Sequence, residues 1–191
     1  MNVVGILLAA GQGRRFDPSG VSNKLLEYVD HEPVAVASAR AMLAVLPRVI
    51  AVVPSIDGGV ARALRAAGCD VTVCHDAERG MAASLVHGLR HSLPAAQAWI
   101  IALADMPYVE PATIAALRDA LEKGAPIAAP VHAARRGNPV AFGVAHLAEL
   151  LALEGDHGAR ALLTTHFVTD IDVHDPGIFR DIDTVADLGH T

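Results

Sequence analysis

The sequence predicts a single three-layer α/β/α domain built on a doubly wound, mostly parallel sheet, and three observations carry that prediction. Short β-branched apolar runs alternate with longer Ala- and Leu-rich stretches of helical period. Aromatic residues make up only 4% of the chain while Ala, Val, Leu and Gly abound, which suits helices packed closely on a sheet better than a ring-filled sandwich or barrel. With 191 residues, 52% of them hydrophobic, the chain can bury one substantial core and is short for two.

The run Val3-Val4-Gly5-Ile6-Leu7-Leu8-Ala9-Ala10 opens the chain, and residues 2–9 of it read as a buried strand. A helix follows over 34–46, a strand over 48–54, a helix near 57–67, a short strand over 70–74, a helix near 81–93 and the strongly apolar strand 98–104. Crossovers of that length make successive strands parallel, with helices on both faces and ligands at the carboxyl ends of the strands. The loops after Ala10 and Ala104 are therefore expected on one rim. Beyond Pro107 the rhythm loosens into a helix over 113–123, strands over 126–131 and 139–142 and a helix over 144–153. No Gly/Ser linker or charge run divides the chain, so this part reads as a continuation of the same domain.

Composition excludes several classes of function. A formal net charge of −6 offers no basic field for a polynucleotide backbone, so no nucleic-acid partner is expected. Cys69 and Cys74 form no CxxC pair, and Met1-Asn2-Val3 lacks the basic start of a secretory signal. No apolar run approaches the roughly 20 residues needed to cross a bilayer, and a cytoplasmic, membrane-free location is expected.

Chemistry concentrates where the first strand breaks into Gly11-Gln12-Gly13-Arg14-Arg15, with Lys24 soon after. Glycines there let backbone N–H groups approach an anion, and Arg15 and Lys24 add the charge a triphosphate requires. The loop lacks both the GK[ST] ending of a P-loop and the third glycine of GxGxxG, so by itself it also fits a tight turn with solvated arginines. Asp105 ends the apolar strand Trp99-Ile100-Ile101-Ala102-Leu103-Ala104, immediately before Met106-Pro107. A carboxylate on that rim can hold Mg²⁺, and it lies too far upstream to cap the helix beginning near Pro111. In Asp181-Ile182-Asp183-Thr184 alternation sets both acids on one side; either could contact a metal, while Asp183 or Thr184 could equally cap residues 185–188. Ser84, in the first turn of its helix, suits a contact to a base or ribose as well as it suits a backbone donor. His75, His87, His91, His132, His157, His166 and His174 show no HExxH or paired Cys/His spacing, which argues against zinc; His132 and His157 lie near candidate substrate loops. There is no GxSxG elbow and no cysteine nucleophile setting.

Taken with Leu8-Ala9-Ala10-Gly11-Gln12-Gly13-Arg14-Arg15 and Lys24, the segments Gly80-Met81-Ala82-Ala83-Ser84-Leu85, Leu103-Ala104-Asp105-Met106-Pro107, Gly137-Asn138-Pro139-Val140-Ala141-Phe142, Gly155-Asp156-His157-Gly158-Ala159-Arg160 and Asp181-Ile182-Asp183-Thr184 resemble the molybdenum cofactor cytidylyltransferases, within the molybdopterin nucleotidyltransferase family. The resemblance spans almost the whole chain. It implies a glycosyltransferase-A-like nucleotidyltransferase fold, with a nucleotide-binding half of about 1–107 and an acceptor-binding half of about 108–191. It further implies that Leu8, Ala9, Ala10, Gly11, Gly13, Arg15, Lys24, Ser84 and Asp105 bind CTP, with Arg15, Lys24 and Asp105 catalytic. Asp105 and, from the opposite side, Asp183 would hold Mg²⁺. Gly137, Asn138, Pro139, Gly155, Asp156 and Gly158 would line the pocket for molybdenum cofactor, whose cytosine dinucleotide form would serve a molybdenum hydroxylase client. Ala10 matches the Leu-Ala-Ala-Gly of the cytidylyl branch; the guanylyl branch usually has Leu-Ala-Gly-Gly. Two features depart from the family: the intervening stretch from Phe16 to Asn23 is longer and more polar, and Asn138 stands where histidine is frequent. The competing readings are a related transferase using GTP or another phosphorylated acceptor, and a non-catalytic cofactor carrier. A Rossmann-type oxidoreductase is disfavoured, because Glu32 ends no convincing strand.

Overall fold

The computed structural model describes the chain except residues 12, 14, 18–21, 190 and 191. β1 (Val3–Leu8) has five of its six residues buried, as its unbroken apolar run requires. A small hairpin pairs β2 (Tyr28–Val29) with β3 (Glu32–Pro33) around Asp30 and His31, whose φ of 46° and 79° are the positive values of a type I′ turn. Then come α1 (Val34–Leu43), β4 (Val49–Val53), α2 (Gly59–Ala67), β5 (Asp70–Val73), α3 (Met81–Ser92) and β6 (Ala98–Leu103). The second part supplies α4 (Pro111–Glu122), β7 (Ile127–His132), β8 (Arg135–Arg136), β9 (Val140–Gly143), α5 (Leu147–Leu151) and β10 (Thr169–Asp172).

The described residues form one eight-stranded sheet in the order β10-β7-β9-β6-β1-β4-β5, with β8 beside β7. The chain winds outward from β1 through β4 to β5, then crosses to place β6 on the other side of β1, which makes β1/β6 the switch point of a doubly wound fold. Registers Leu7↔Ala51 and Leu7↔Ala102 are parallel. β9 runs antiparallel to both β6 and β7, so Val140 faces Ile101 toward the carboxyl end of β6 and Gly143 faces Ala98 at the other. The prediction of a three-layer α/β/α domain with a mostly parallel sheet is met.

Alternate side chains of the buried strands feed two cores. Leu7, Ala51 and Ile100 pack with Ala39 and Met42 of α1, Leu64 of α2 and Leu117 of α4. Ile6, Val52, Trp99 and Phe142 pack with Leu85 and Leu89 of α3, Leu150 of α5 and Leu162. Trp99 is fully buried, and its indole N–H donates to Ser92 Oγ at 2.8 Å. Ser92→Ala should therefore orphan that donor and destabilise the fold by about 1–3 kcal/mol, read from the denaturant midpoint and the tryptophan emission.

Several elements differ from the sequence expectation, among them the unexpected β2–β3 hairpin and β8. The helix predicted over 34–46 stops at Leu43, because Pro47 disfavours helical backbone at Leu46 and the chain must turn for β4. The helix predicted over 144–153 splits into a 3₁₀ turn (Val144–His146) and the short α5, with His146 at φ −97° and ψ 5° breaking the ladder. β10 was not expected: Thr-Asp-Ile-Asp is an edge strand too polar to show a core pattern. No described helix is long and apolar enough to cross a membrane.

Candidate active site

The carboxyl ends of β1 and β6 meet at the switch point, where a cleft opens by topology. The Ala9 N–H bonds to the Val52 carbonyl and the Ala104 N–H to the Leu8 carbonyl, so both exit loops leave from one rim as the alternation of elements predicts. Gly13 takes φ +58°, and its carbonyl accepts from the N–H groups of Phe16 and Asp17, closing a turn. Gln12 and Arg14 lie outside the described residues, as do 18–21 within the long stretch before Lys24.

Asn23 caps the 3₁₀ turn Lys24–Leu26: its Oδ1 accepts from the Leu25 N–H at 3.0 Å, and Leu25 is buried. That local geometry sends Lys24 inward. Its Nζ donates to Asp105 Oδ2 at 2.6 Å and to Asp183 Oδ1 at 3.2 Å. Arg15, whose side chain is 82% exposed, pairs with Asp183 Oδ2 at 2.6 Å. Burial alone would lower the Lys24 pKa, but the hydrogen bonds and charges of Asp105 and Asp183 more than offset it and hold the ammonium above the ordinary lysine value. Lys24 is thus a cation already seated between two carboxylates 78 positions apart in sequence, from 105 to 183.

Asp183 reaches that point because Ile182 is buried and its N–H donates to the Asp105 carbonyl at 2.8 Å. The cap of the turn Val185–Gly189 falls to neither Asp183 nor Thr184 as acceptor. Instead Asp187 Oδ2 reaches back to the Asp183 N–H, the Thr184 N–H and the Thr184 hydroxyl, which leaves the Asp183 carboxylate for the cleft. Burial, with Asp183 and Asp105 close by, pushes the Asp181 carboxyl above its ordinary value.

The donor set fits a divalent cation. Asp105 Oδ1 is buried with no hydrogen-bond partner among the described residues, an expensive arrangement for a carboxylate oxygen unless a cation takes it up. Hard oxygen ligands of this kind, together with Asp183 across the same centre, suit Mg²⁺ or Mn²⁺.

A cleft of about 380 Å³ adjoins the cluster, lined by Leu8, Ala10, Gly11, Gly80, Met81, Ser84, Asp105 and Asp156. Ser84 is buried in the first turn of α3. A second cavity of about 240 Å³ shares Leu8, Met81 and Asp156 with the first and adds Asn138, Gly158 and Arg160. Burial pulls the Arg160 guanidinium below its ordinary pKa, and it donates to the Arg136 carbonyl at 3.2 Å. Ala9 sits beneath the rim in the core. Gly137, Pro139 and Gly155 line neither of these two cavities. A side chain at Gly137 would strike Ile178, and Pro139 borders a separate space beside Ser38 and Met42. Gly155 accepts from the Ala82 N–H at 3.0 Å, tying its loop to α3. His132 bonds the Val173 carbonyl, away from the cleft.

Gly80 is the hinge of that tie. It takes φ +116°, and a Cβ there would lie 2.5 Å from the Gly155 carbonyl carbon. Gly80→Ala should cost about 2–4 kcal/mol through backbone strain and the forced separation of the two loops, a loss seen as a lower melting temperature together with weaker nucleotide binding. Sequence reasoning missed Asn23 and Asp187. Asn23 had a signal, an N-cap residue immediately before Lys24-Leu25-Leu26.

A family model for the MobA-like NTP transferase domain matches residues 5–171. Among solved structures, Rv0371c from Mycobacterium tuberculosis H37Rv is 31% identical with a TM-score of 0.82, over 98% of this chain and 95% of that one. Its complex with manganese aligns at 29% identity and a TM-score of 0.75, over 98% and 96%. A nucleotidyl transferase from Methanothermobacter thermautotroptrophicus, 24% identical with a TM-score of 0.81 over 97% and 93%, shares the fold. No curated protein matches the chain.

Proposed function

The chain belongs to the MobA-like NTP transferase family of nucleotidyltransferases, and from that premise we propose that it transfers CMP from CTP to the terminal phosphate of molybdenum cofactor, releasing pyrophosphate, with Mg²⁺ as its metal. The observation that carries the reading is the cluster of Lys24 and Arg15 against Asp105 and Asp183 at the β1/β6 switch point, with Asp105 Oδ1 buried and unpartnered among the described residues. That Rv0371c has been solved as a complex with manganese supports a divalent ion as part of the reading.

In the proposed reaction an oxygen of the acceptor phosphate attacks the α-phosphorus of CTP, and the bond to the β-phosphate oxygen breaks to release pyrophosphate. The nucleophile is already an anion, so no general base is required and the work falls on alignment and charge. Arg15 and Lys24 exchange their carboxylate partners for phosphate oxygens as the triphosphate enters. Backbone N–H groups around Gly11 and Gly13 face the same anion, and Ser84 contacts the nucleoside. Held by Asp105 and Asp183, Mg²⁺ would neutralise the charge that builds on the phosphates. Asn138, Asp156, Gly158 and Arg160 line the acceptor cavity. The two cavities share Leu8, Met81 and Asp156, which brings the two substrates together at Asp105's rim. The methyl of Ala10 lines the cleft and, with the Leu8-Ala9-Ala10-Gly11 motif, supports CTP over GTP. The product would pass to a molybdenum hydroxylase in the cytoplasm.

The test is pyrophosphate release with each of the four nucleoside triphosphates, with and without molybdenum cofactor. CTP with cofactor should be the active combination, yielding the cytosine dinucleotide by mass. A faster reaction with GTP would move the chain to the guanylyl branch. Cofactor binding without pyrophosphate release from any triphosphate would make it a carrier.

A further inference from the structure

Far from this cleft, β9 delivers the chain to the opposite rim of the sheet, where Gly143 pairs with Ala98 and the turn Val144–His146 begins. There His146, Glu149 and His166 converge. His146 Nδ1 lies 3.1 Å from Glu149 Oε1, and His166 Nε2 lies 2.7 Å from Glu149 Oε2. The imidazole rings are 4.6 Å apart, edge to face, and one ligand atom from each residue falls within 4.8 Å of the others. His146 is the best seated, with an 11% exposed side chain against the Phe142 ring; His166 is 29% and Glu149 48% exposed, which leaves an approach from solvent. The spacing argument against zinc does not reach this set, because its third member comes from a separate segment and only folding brings the three together.

We infer that His146, Glu149 and His166 form a binding site for a divalent transition metal of the Zn²⁺ class, separate from the Asp105 centre. Two imidazole nitrogens and a carboxylate oxygen make the three-ligand set of an open tetrahedral zinc site, with water in the fourth position. Ligand atoms around zinc stand about 3.3 Å apart, so the ion would spread the two hydrogen-bonded contacts slightly and gather the set, whose ligand atoms lie within 4.8 Å of one another, around itself. The spacing of three residues places His146 and Glu149 on one side of their turn. Borderline-soft imidazole selects Zn²⁺, Ni²⁺ or Co²⁺ over Mg²⁺, the reverse of the all-oxygen preference at Asp105 and Asp183. The chain between His146 and His166 carries Asp156, Gly158 and Arg160, so the metal would clamp both feet of the segment that lines the acceptor cavity.

The test uses full-length protein stripped with chelator and kept in excess Mg²⁺, titrated with Co²⁺ and followed by its visible absorption, then displaced by Zn²⁺. One equivalent should bind, with a tetrahedral Co²⁺ spectrum and a raised melting temperature. His166→Gln and Glu149→Gln, at accessible positions, should each weaken binding at least about tenfold and abolish the rise in melting temperature, whereas Asp105→Asn should keep both. His146→Ala should behave alike if it folds. Absence of saturable binding would leave a hydrogen-bonded triad only. Undiminished binding in His166→Gln and Glu149→Gln, or its loss in Asp105→Asn, would place the ion elsewhere; either result overturns the inference.

Discussion

Asp105→Asn is expected to lower turnover by about 10³-fold while nucleotide affinity changes only a few-fold. The side chain stands just beyond β6, with Oδ2 held by Lys24 and Oδ1 buried without a partner among the described residues. An amide keeps the volume and can still accept from Lys24, but it carries no charge with which to hold a metal or balance one. The fold should survive the change, because the local anchors are main-chain: Ile182 donates to the Asp105 carbonyl and Ser38 to the Ala104 carbonyl. The measurement is steady-state pyrophosphate release beside a binding titration with CTP and a thermal melt. Turnover near that of the unmodified protein would remove Asp105 from the chemistry.

The second large effect is expected from Lys24→Ala, in two separable readouts. Turnover should fall by about 10²-fold, as a cation facing the phosphates disappears. Stability should fall as well, by about 1–2 kcal/mol at neutral pH, a figure reduced from that of fully buried pairs because the carboxylates are partly exposed. The pH dependence follows from charge. Despite burial, Asp105 and Asp183 hold the Lys24 ammonium above its ordinary value of 10.5 in the folded protein. A raised lysine pKa contributes stability that is fully present below the unfolded value and is lost as pH rises through the folded one. The gap in stability between the variant and the unmodified protein should therefore be full at neutral pH and narrow as pH rises beyond 10.5. A gap that stays constant through that rise would mean that these carboxylates do not hold Lys24 charged.

The sequence discloses those parts of the fold whose signals are local. β1 and β6 are readable because burial on both faces leaves an unbroken apolar run, and Asp105 stands out because a carboxylate ends such a run. The seat of Asp183 is not readable, since it depends on Ile182 entering the core next to a strand more than seventy positions away and on Asp187 taking over the cap. The direction of β9 is equally hidden: Val-Ala-Phe-Gly has the same apolar character whether it runs with β6 or against it. β10 shows nothing, because an edge strand with exposed aspartates looks like a loop. In the acceptor segments the quoted motifs mix two kinds of residue. Asn138, Asp156 and Gly158 reach the cavity, while Gly137 is small because Ile178 lies where its Cβ would go. A motif reports that a residue type is required, and packing and ligand contact impose that requirement alike.

The reversed strand has a mechanical corollary. Four residues of extended chain span about 13 Å, so Val140–Gly143 acts as a short rigid strut with Asn138 beyond one end and His146 beyond the other. Its pitch is fixed by the ladder with β6, and a slip of one residue would turn Val140 and Phe142 out of the core they fill. The strut can therefore tilt or translate only as a unit. A load applied at the histidine end would therefore be passed on as displacement to Asn138 and the cavity it lines rather than absorbed along the way.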